Sequence, residues 1–285
     1  MLIADTITTV DYTLRADGTQ EWTVGGLLHN VDDNPAFISP DGTKSWWAYG
    51  DLHREFDKPA IEGVDGFRQW CIVGRVHRAG DLPAIISADG SQEWFYHGLC
   101  HRGNDQPAVI LADGTKRWFW NGWKHRAGDQ PAVILGDGSR QEWMVDGELH
   151  RVDDKPAVVC ADGSLHWFCM GQRHRGGDKP AVIRADGTQE WWICNRWRYP
   201  SSRRHRGGGQ PAVIMADGTR EWWCNGTKQI QVHVFPITDG VTGECAVCWE
   251  EMEGTQSRLD CGHAFHTVCL RLCASRTCPL CRAPF

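Results

Sequence analysis

Short apolar runs separated by turn residues recur along the first 230 residues. In the clearest stretch, Pro107-Ala-Val-Ile-Leu leads to Ala112-Asp-Gly-Thr, then Lys116-Arg-Trp-Phe-Trp, then Asn121-Gly-Trp-Lys-His-Arg. This pattern predicts strands joined by tight hairpins, because Asp-Gly and Asn-Gly accept the positive φ that a two-residue turn demands. With Asp113-Gly114 as such a turn, Ala112 is expected opposite Thr115, Ile110 opposite Arg117 and Val109 opposite Trp118. Asn121-Gly122 likewise sets Trp120 opposite Trp123, Phe119 opposite Lys124 and Trp118 opposite His125. Cross-strand partners share a face, so Val109, Trp118 and His125 are expected to form one row.

The unit repeats. Pro-Ala recurs at Pro35, Pro59, Pro83, Pro107, Pro131, Pro156, Pro180 and Pro211, and Asp-Gly recurs from Asp17 to Asp217. A Trp follows each of these Asp residues by five positions, or six in the Asp137 copy, and a His follows most of these Trp by seven. A step of about 24 residues implies a repeat array. The reading is an all-β array of antiparallel hairpins over residues 1–226, about nine units with the first and last partial. In a meander of three strands per unit, equivalent histidines stand roughly 14 Å apart. Neighbouring units then cannot share a zinc ion held at ~2.1 Å. The repeated histidines are therefore expected to be structural, with His125 covering Trp118 while Arg126 and Asp129 pair across the connecting loop. A parallel β-helix would instead stack them ~4.8 Å apart; the hairpin dipeptides argue against it, though sequence leaves it open.

Composition then falls into place. The chain has 285 residues, a net charge of −6, 16 Trp, 13 Cys, 13 His and 32 Gly. The repeat accounts for the Trp, the Gly and most of the His. No apolar run approaches the ~18 residues of a membrane span, and the first residues carry no secretory pattern. The expected setting is an intracellular, reducing compartment, cytoplasm or nucleus, without membrane contact. Cys71, Cys100, Cys160, Cys169, Cys194 and Cys224 are scattered singly and read as free thiols. One copy is longer: Arg196, Trp197, Arg198, Tyr199, Arg203, Arg204 and Arg206 form a basic, aromatic loop over residues 196–206. That loop is either a solvated insertion or a contact for phosphate, RNA or an acidic partner; nucleic acid has no other support here.

The last 41 residues differ in kind. Cys245, Cys248, Cys261, His263, His266, Cys269, Cys278 and Cys281 follow the pattern C-x2-C-x12-C-x-H-x2-H-x2-C-x8-C-x2-C. Eight such ligands in four close pairs suit two tetrahedral zinc ions with no position left open for water, hence structural sites. A segment of this size cannot bury enough apolar surface to fold unaided, and a structural zinc ion contributes about 10–16 kcal/mol. Residues 227–244 lose the period and read as a linker or cap before a zinc domain at 245–285.

The segment CAVCWEEMEGTQSRLDCGHAFHTVCL…CPLCR resembles a RING finger, in the variant with two histidine ligands. The resemblance implies a cross-brace: Cys245, Cys248, His266 and Cys269 on a first zinc, Cys261, His263, Cys278 and Cys281 on a second. It further implies that Phe265 and Leu259 pack between the sites. Val247, Leu270, Pro279 and Arg282 would contact a ubiquitin-conjugating enzyme, with Arg282 bridging that enzyme and ubiquitin. Cys273 stands where many relatives have a Trp lining the groove, which leaves the choice of conjugating enzyme open. The array is similar to divergent MORN-type repeats, such as those abundant in proteins of large DNA viruses, although its His-Arg-x-x-Asp-x-Pro-Ala half departs from the common pattern. In that family the array is a binding or scaffolding surface.

Two functions follow from these resemblances. One is a RING-type ubiquitin ligase that positions a ubiquitin-charged conjugating enzyme, with no covalent catalytic residue, while the array recruits a protein substrate. The other is a non-catalytic adaptor whose zinc module serves only protein contact. A hydrolase or nucleotide enzyme finds no support, since no phosphate-binding Gly loop or nucleophile elbow is present.

Overall fold

The computed structural model describes residues 9–194 and 201–229 throughout, and residues 245, 247, 251, 256–259, 261–266, 269, 278 and 280 of the C-terminal segment. Arg196, Trp197, Arg198 and Tyr199 of the basic loop, and most of the 227–244 segment, lie outside the described residues. Two compact units divide the chain, Met1–Arg203 and Arg204–Phe285.

The first unit is antiparallel β throughout its described length. Each copy contributes two short strands to a continuous meander. Val109–Ile110 pairs with Lys116–Arg117, which pairs in turn with Val133–Ile134 of the following copy. The next two residues leave this sheet: Phe119–Trp120 folds back on Trp123–Lys124 as a separate ribbon. A copy therefore advances the sheet by two strands, about 9.6 Å, and not by the three strands and roughly 14 Å expected from the sequence.

The two turns of a copy behave differently. At Asn121-Gly122 both residues have positive φ, 47° and 86°, and the two-residue turn sets Trp120 opposite Trp123 as expected. The Asp113-Gly114 hairpin is one residue longer. Leu111 N–H donates to Thr115 O at 2.9 Å and Gly114 N–H to Leu111 O at 2.9 Å, while only Gly114 takes positive φ, 83°. The loop is thus three residues ending on a left-handed glycine, and the Asp113 carboxylate caps Thr115 N–H at 2.7 Å. The register shifts accordingly. Val109 faces Arg117 and Ile110 faces Lys116, so Val109 lies in a row with Arg117 and Val133 and not with Trp118, while Trp118 and His125 stay opposite each other as expected, His125 N–H donating to Trp118 O at 3.1 Å.

This shift frees the tryptophans to fill the core. Trp46, Trp70, Trp94, Trp118, Trp143, Trp167 and Trp191 are buried, and the alanines of the Pro-Ala pairs are fully enclosed. Trp118 N–H donates to Ala132 O at 2.8 Å, and its indole Nε1 donates to Asp105 O of the preceding copy at 3.0 Å. Arg126 then lies over the Trp118 ring, 3.9 Å from the centroid. Its guanidinium grips the Asp105 carboxylate with two N–H groups at 2.8 Å and donates to Pro131 O. The same assembly recurs as Arg54–Asp33, Arg78–Asp57, Arg102–Asp81, Arg151–Asp129 and Arg175–Asp154. The arginine therefore pairs with the previous copy, and not with Asp129 of its own loop as expected. A fork-shaped, always-charged donor is needed to stack and bond in two directions at once, which Lys cannot do.

The repeated histidines also point along the array. Val73 N–H donates to His53 Nδ1, His97 N–H to His77 Nδ1 and Asn121 N–H to His101 Nδ1, at 3.2–3.3 Å. His101 meets the Trp120 ring of the following copy at 4.7 Å. Each of these three rings accepts at Nδ1. Burial, with a smaller contribution from the neighbouring His97, pushes His77 below its ordinary value of 6.5. A depressed histidine contributes stability that is complete above the unfolded value and lost as pH falls through the folded one. Melting temperature is expected to drop between pH 7.5 and 5, and to drop less in His77→Gln, whose amide oxygen accepts the same N–H without titrating. An identical pH profile in that variant would refute the assignment.

Gly136 shows how closely successive copies stack. Its copy carries one extra turn residue, with Leu135 N–H donating to Arg140 O at 3.0 Å. A Cβ at Gly136 would sit 1.8 Å from Asp113 O, whereas six other copies have Ala at the corresponding position. Gly136→Ala is therefore expected to cost about 3 kcal/mol, near the top of the overpacking range, measured by urea unfolding.

Candidate metal centre

The C-terminal segment has its own small core. Cys245, Leu259, Phe265 and Cys278 are buried together, with Val247, Ala264 and Cys269 packed against them. A hairpin supplies the frame: Gln256–Arg258 pairs with Ala264–His266, and Gly262 turns the chain with φ 85°. Leu259 N–H donates to His263 O at 2.9 Å and Gly262 N–H to Leu259 O at 2.8 Å. The period of two along Ala264–His266 puts Phe265 into the core and leaves Ala264 and His266 only partly buried. Cys261 and His263 sit at the hairpin tip and His266 at the end of its second strand, separating the two groups of ligands.

Two clusters result. Cys245, His266 and Cys269 bring their ligand atoms within 4.8 Å of one another, and so do Cys261, His263 and Cys278. In the second, His263 Nδ1 lies 3.5 Å from Cys261 Sγ and 3.6 Å from Cys278 Sγ. A tetrahedral ion with Zn–S of about 2.3 Å and Zn–N of about 2.05 Å demands an S···N edge of about 3.6 Å. In the first, His266 Nδ1 lies 3.9 Å from Cys269 Sγ, while its Nε2 donates to Glu251 O at 3.0 Å. That outer hydrogen bond orients the ring and leaves Nδ1 for a metal. Soft thiolates with one imidazole in each cluster fit zinc, and the residues alternate along the chain: one from the first cluster, two from the second, two from the first, one from the second.

Several residues singled out from the sequence fall elsewhere. Cys248 and Cys281, the expected fourth ligands, lie outside the described residues, as do Leu270, Cys273, Pro279 and Arg282. Val247 is half-buried against the core, and Leu280, which the sequence reading passed over, is exposed. The Glu251 carbonyl was also missed; a backbone acceptor leaves no residue-type signal. In the array, burial pushes the Cys71, Cys160 and Cys194 thiols upward, and Cys100 to about 12 with help from the Glu93 charge. These groups are poor thiolates and poor nucleophiles.

Residues 243–282 match the family model described as the Ring finger domain. A RING-type zinc finger therefore closes this chain, with two candidate Cys/His sites consistent with two ions. Proteins with such a finger commonly act as ubiquitin ligases through a ubiquitin-conjugating enzyme.

Proposed function

We propose that this protein is a RING-type ubiquitin ligase whose repeat array recruits the substrate. The observation that carries the reading is the pair of interleaved Cys/His clusters within a segment that matches the RING family. Cys248 would complete the cluster of Cys245, His266 and Cys269, and Cys281 that of Cys261, His263 and Cys278. Bound zinc supplies only a rigid cross-link between distant parts of the segment, since every ligand position is taken by protein.

The chain's own residues then do the functional work. By the family resemblance, Val247, Leu270 and Pro279 would face a conjugating enzyme, and Arg282 would bridge that enzyme and ubiquitin. Holding the charged enzyme and its thioester in an attack-ready orientation accelerates transfer to a substrate lysine by positioning alone. The repeats, which resemble MORN-type repeats, provide an extended surface for the substrate. The setting is a reducing compartment, where the zinc thiolates persist. A second reading, a non-catalytic adaptor, is favoured by one observation: Cys273 replaces the large apolar side chain that would otherwise line the groove.

Ubiquitination assays with a panel of conjugating enzymes separate the two. The ligase forms chains with at least one enzyme, and Arg282→Ala slows chain formation about tenfold with zinc content unchanged. Protein loaded with zinc but inactive with every enzyme is the adaptor.

A further inference from the structure

The Arg–Asp ladder contains a difference between copies that points to a ligand. In three steps a loop lysine joins the arginine on the same carboxylate: Lys58 on Asp33, Lys155 on Asp129 and Lys179 on Asp154, with Nζ 2.6–2.7 Å from Oδ2. In the three consecutive steps between them the corresponding residues are Leu82, Gln106 and Gln130, and among the described residues the carboxylates of Asp57, Asp81 and Asp105 accept from Arg78, Arg102 and Arg126 alone. The exposure of the carboxylates follows: 34–41% where the lysine is present, 53–60% where it is not. The arginines of those central pairs are 14% exposed, pressed onto Trp rings. In the middle of the array the carboxylate is therefore the more exposed member of each pair.

A pocket lies beside each of two of these carboxylates. One, of about 340 Å³, is floored by Trp94, Phe95 and Tyr96 and edged by Asp81. The next, of about 300 Å³, is floored by Trp118, Phe119 and Trp120 and edged by Asp105. Tyr96 and Trp120 are more than half exposed, so each pocket sets an open aromatic ring beside one carboxylate, with the paired arginines Arg78 and Arg102, or Arg102 and Arg126, also in its lining. Successive rims are one copy apart, about 9.6 Å. Three residues of an extended polyproline-type chain, at ~3.1 Å each, cover about 9.3 Å.

We propose that the central copies dock an extended basic peptide with a lysine or arginine at every third position, its cations on Asp57, Asp81 and Asp105 and its intervening apolar residues against Tyr96 and Trp120. The array itself supplies the template, because Lys58, Lys155 and Lys179 occupy the same position on the flanking carboxylates. The peptide class deepens the reading of the array as the recruiting surface and rests on it. Its binding, however, is measurable without ubiquitin transfer.

The test is fluorescence anisotropy of a labelled peptide KPPKPPKPPKPP with the full-length, zinc-loaded protein. Binding is expected to be saturable, to weaken on lengthening the spacing to KPPPKPPPKPPP, and to vanish when Glu replaces Lys. The decisive variant combines Leu82→Lys, Gln106→Lys and Gln130→Lys, which fills the three positions as the flanking copies do. It is expected to lose about tenfold or more in affinity with thermal stability kept or raised, and Trp120→Ala should also weaken binding. Absence of binding to the wild type, equal binding by the triple-lysine variant, or indifference to lysine spacing would each overturn the proposal. An active ligase that fails to bind the peptide refutes this surface alone. Peptide binding by a protein inactive with every conjugating enzyme refutes the ligase reading alone.

Discussion

His266→Ala is expected to release one of two zinc ions per chain and to abolish ubiquitin chain formation. The imidazole is one of four ligands that the first site would hold, and its Nε2 hydrogen bond to Glu251 O fixes the ring for that purpose. Among the described residues the buried core around the sites is Phe265, Leu259, Cys245 and Cys278, with Val247 and Ala264 packed against it, and a segment of this size is too small to hold itself together without metal. A structural ion contributes about 10–16 kcal/mol, so emptying the first site removes the cross-link that orders its part of the module while the second site keeps its ion. Zinc quantified by a chelating dye, together with circular dichroism and a transfer assay, checks the prediction. Melting of the array is expected to be unchanged in the same sample. Retention of both ions with full activity would remove His266 from the ligand set.

Trp118→Ala is expected to destabilise the array by about 3–5 kcal/mol, the usual cost of emptying a large buried aromatic site. More than volume is lost. The Asp105 carbonyl loses its indole donor, and Arg126 loses the ring on which it lies. In a quasi-one-dimensional array a central defect uncouples the halves on either side. Urea unfolding followed by circular dichroism should therefore broaden into two steps. Trp22→Ala, at a half-buried position near the start, should cost less and leave a single transition. Equal effects at the two sites would contradict the model of neighbour-coupled copies.

The two turns show how far local sequence reaches. Asn121-Gly122 behaves as its residues predict, because both accept positive φ and the flanking pair Trp120 and Trp123 fits the short loop. Asp113-Gly114 is compatible with two loop lengths. The longer one wins because Asp113 caps Thr115 N–H, and the resulting register leaves Trp118 free to turn into the core. A one-residue change of register redirects every side chain on the strand, so this choice also decides which residues line each face. The Arg126–Asp129 pairing failed for a related reason: sequence proximity suggested a partner within the loop, whereas stacking brings Asp105 of the preceding copy to the guanidinium at 2.8 Å.

What the sequence determined by itself was chemistry that depends on residue type and spacing. Asp-Gly and Asn-Gly dipeptides between apolar runs specify antiparallel hairpins, and paired Cys and His residues specify zinc, because short spacers bring both members of a pair to one ion. Only the tertiary structure decided what depends on contact between copies. It set two sheet strands per copy, made His53, His77 and His101 acceptors for the next turn, and joined the arginines from Arg54 to Arg175 to the aspartate behind. It also left Asp57, Asp81 and Asp105 more exposed than the carboxylates that a loop lysine covers. The physical reason is that these partners are 20 or more residues apart in sequence, and no local preference encodes which of several identical copies a side chain will meet.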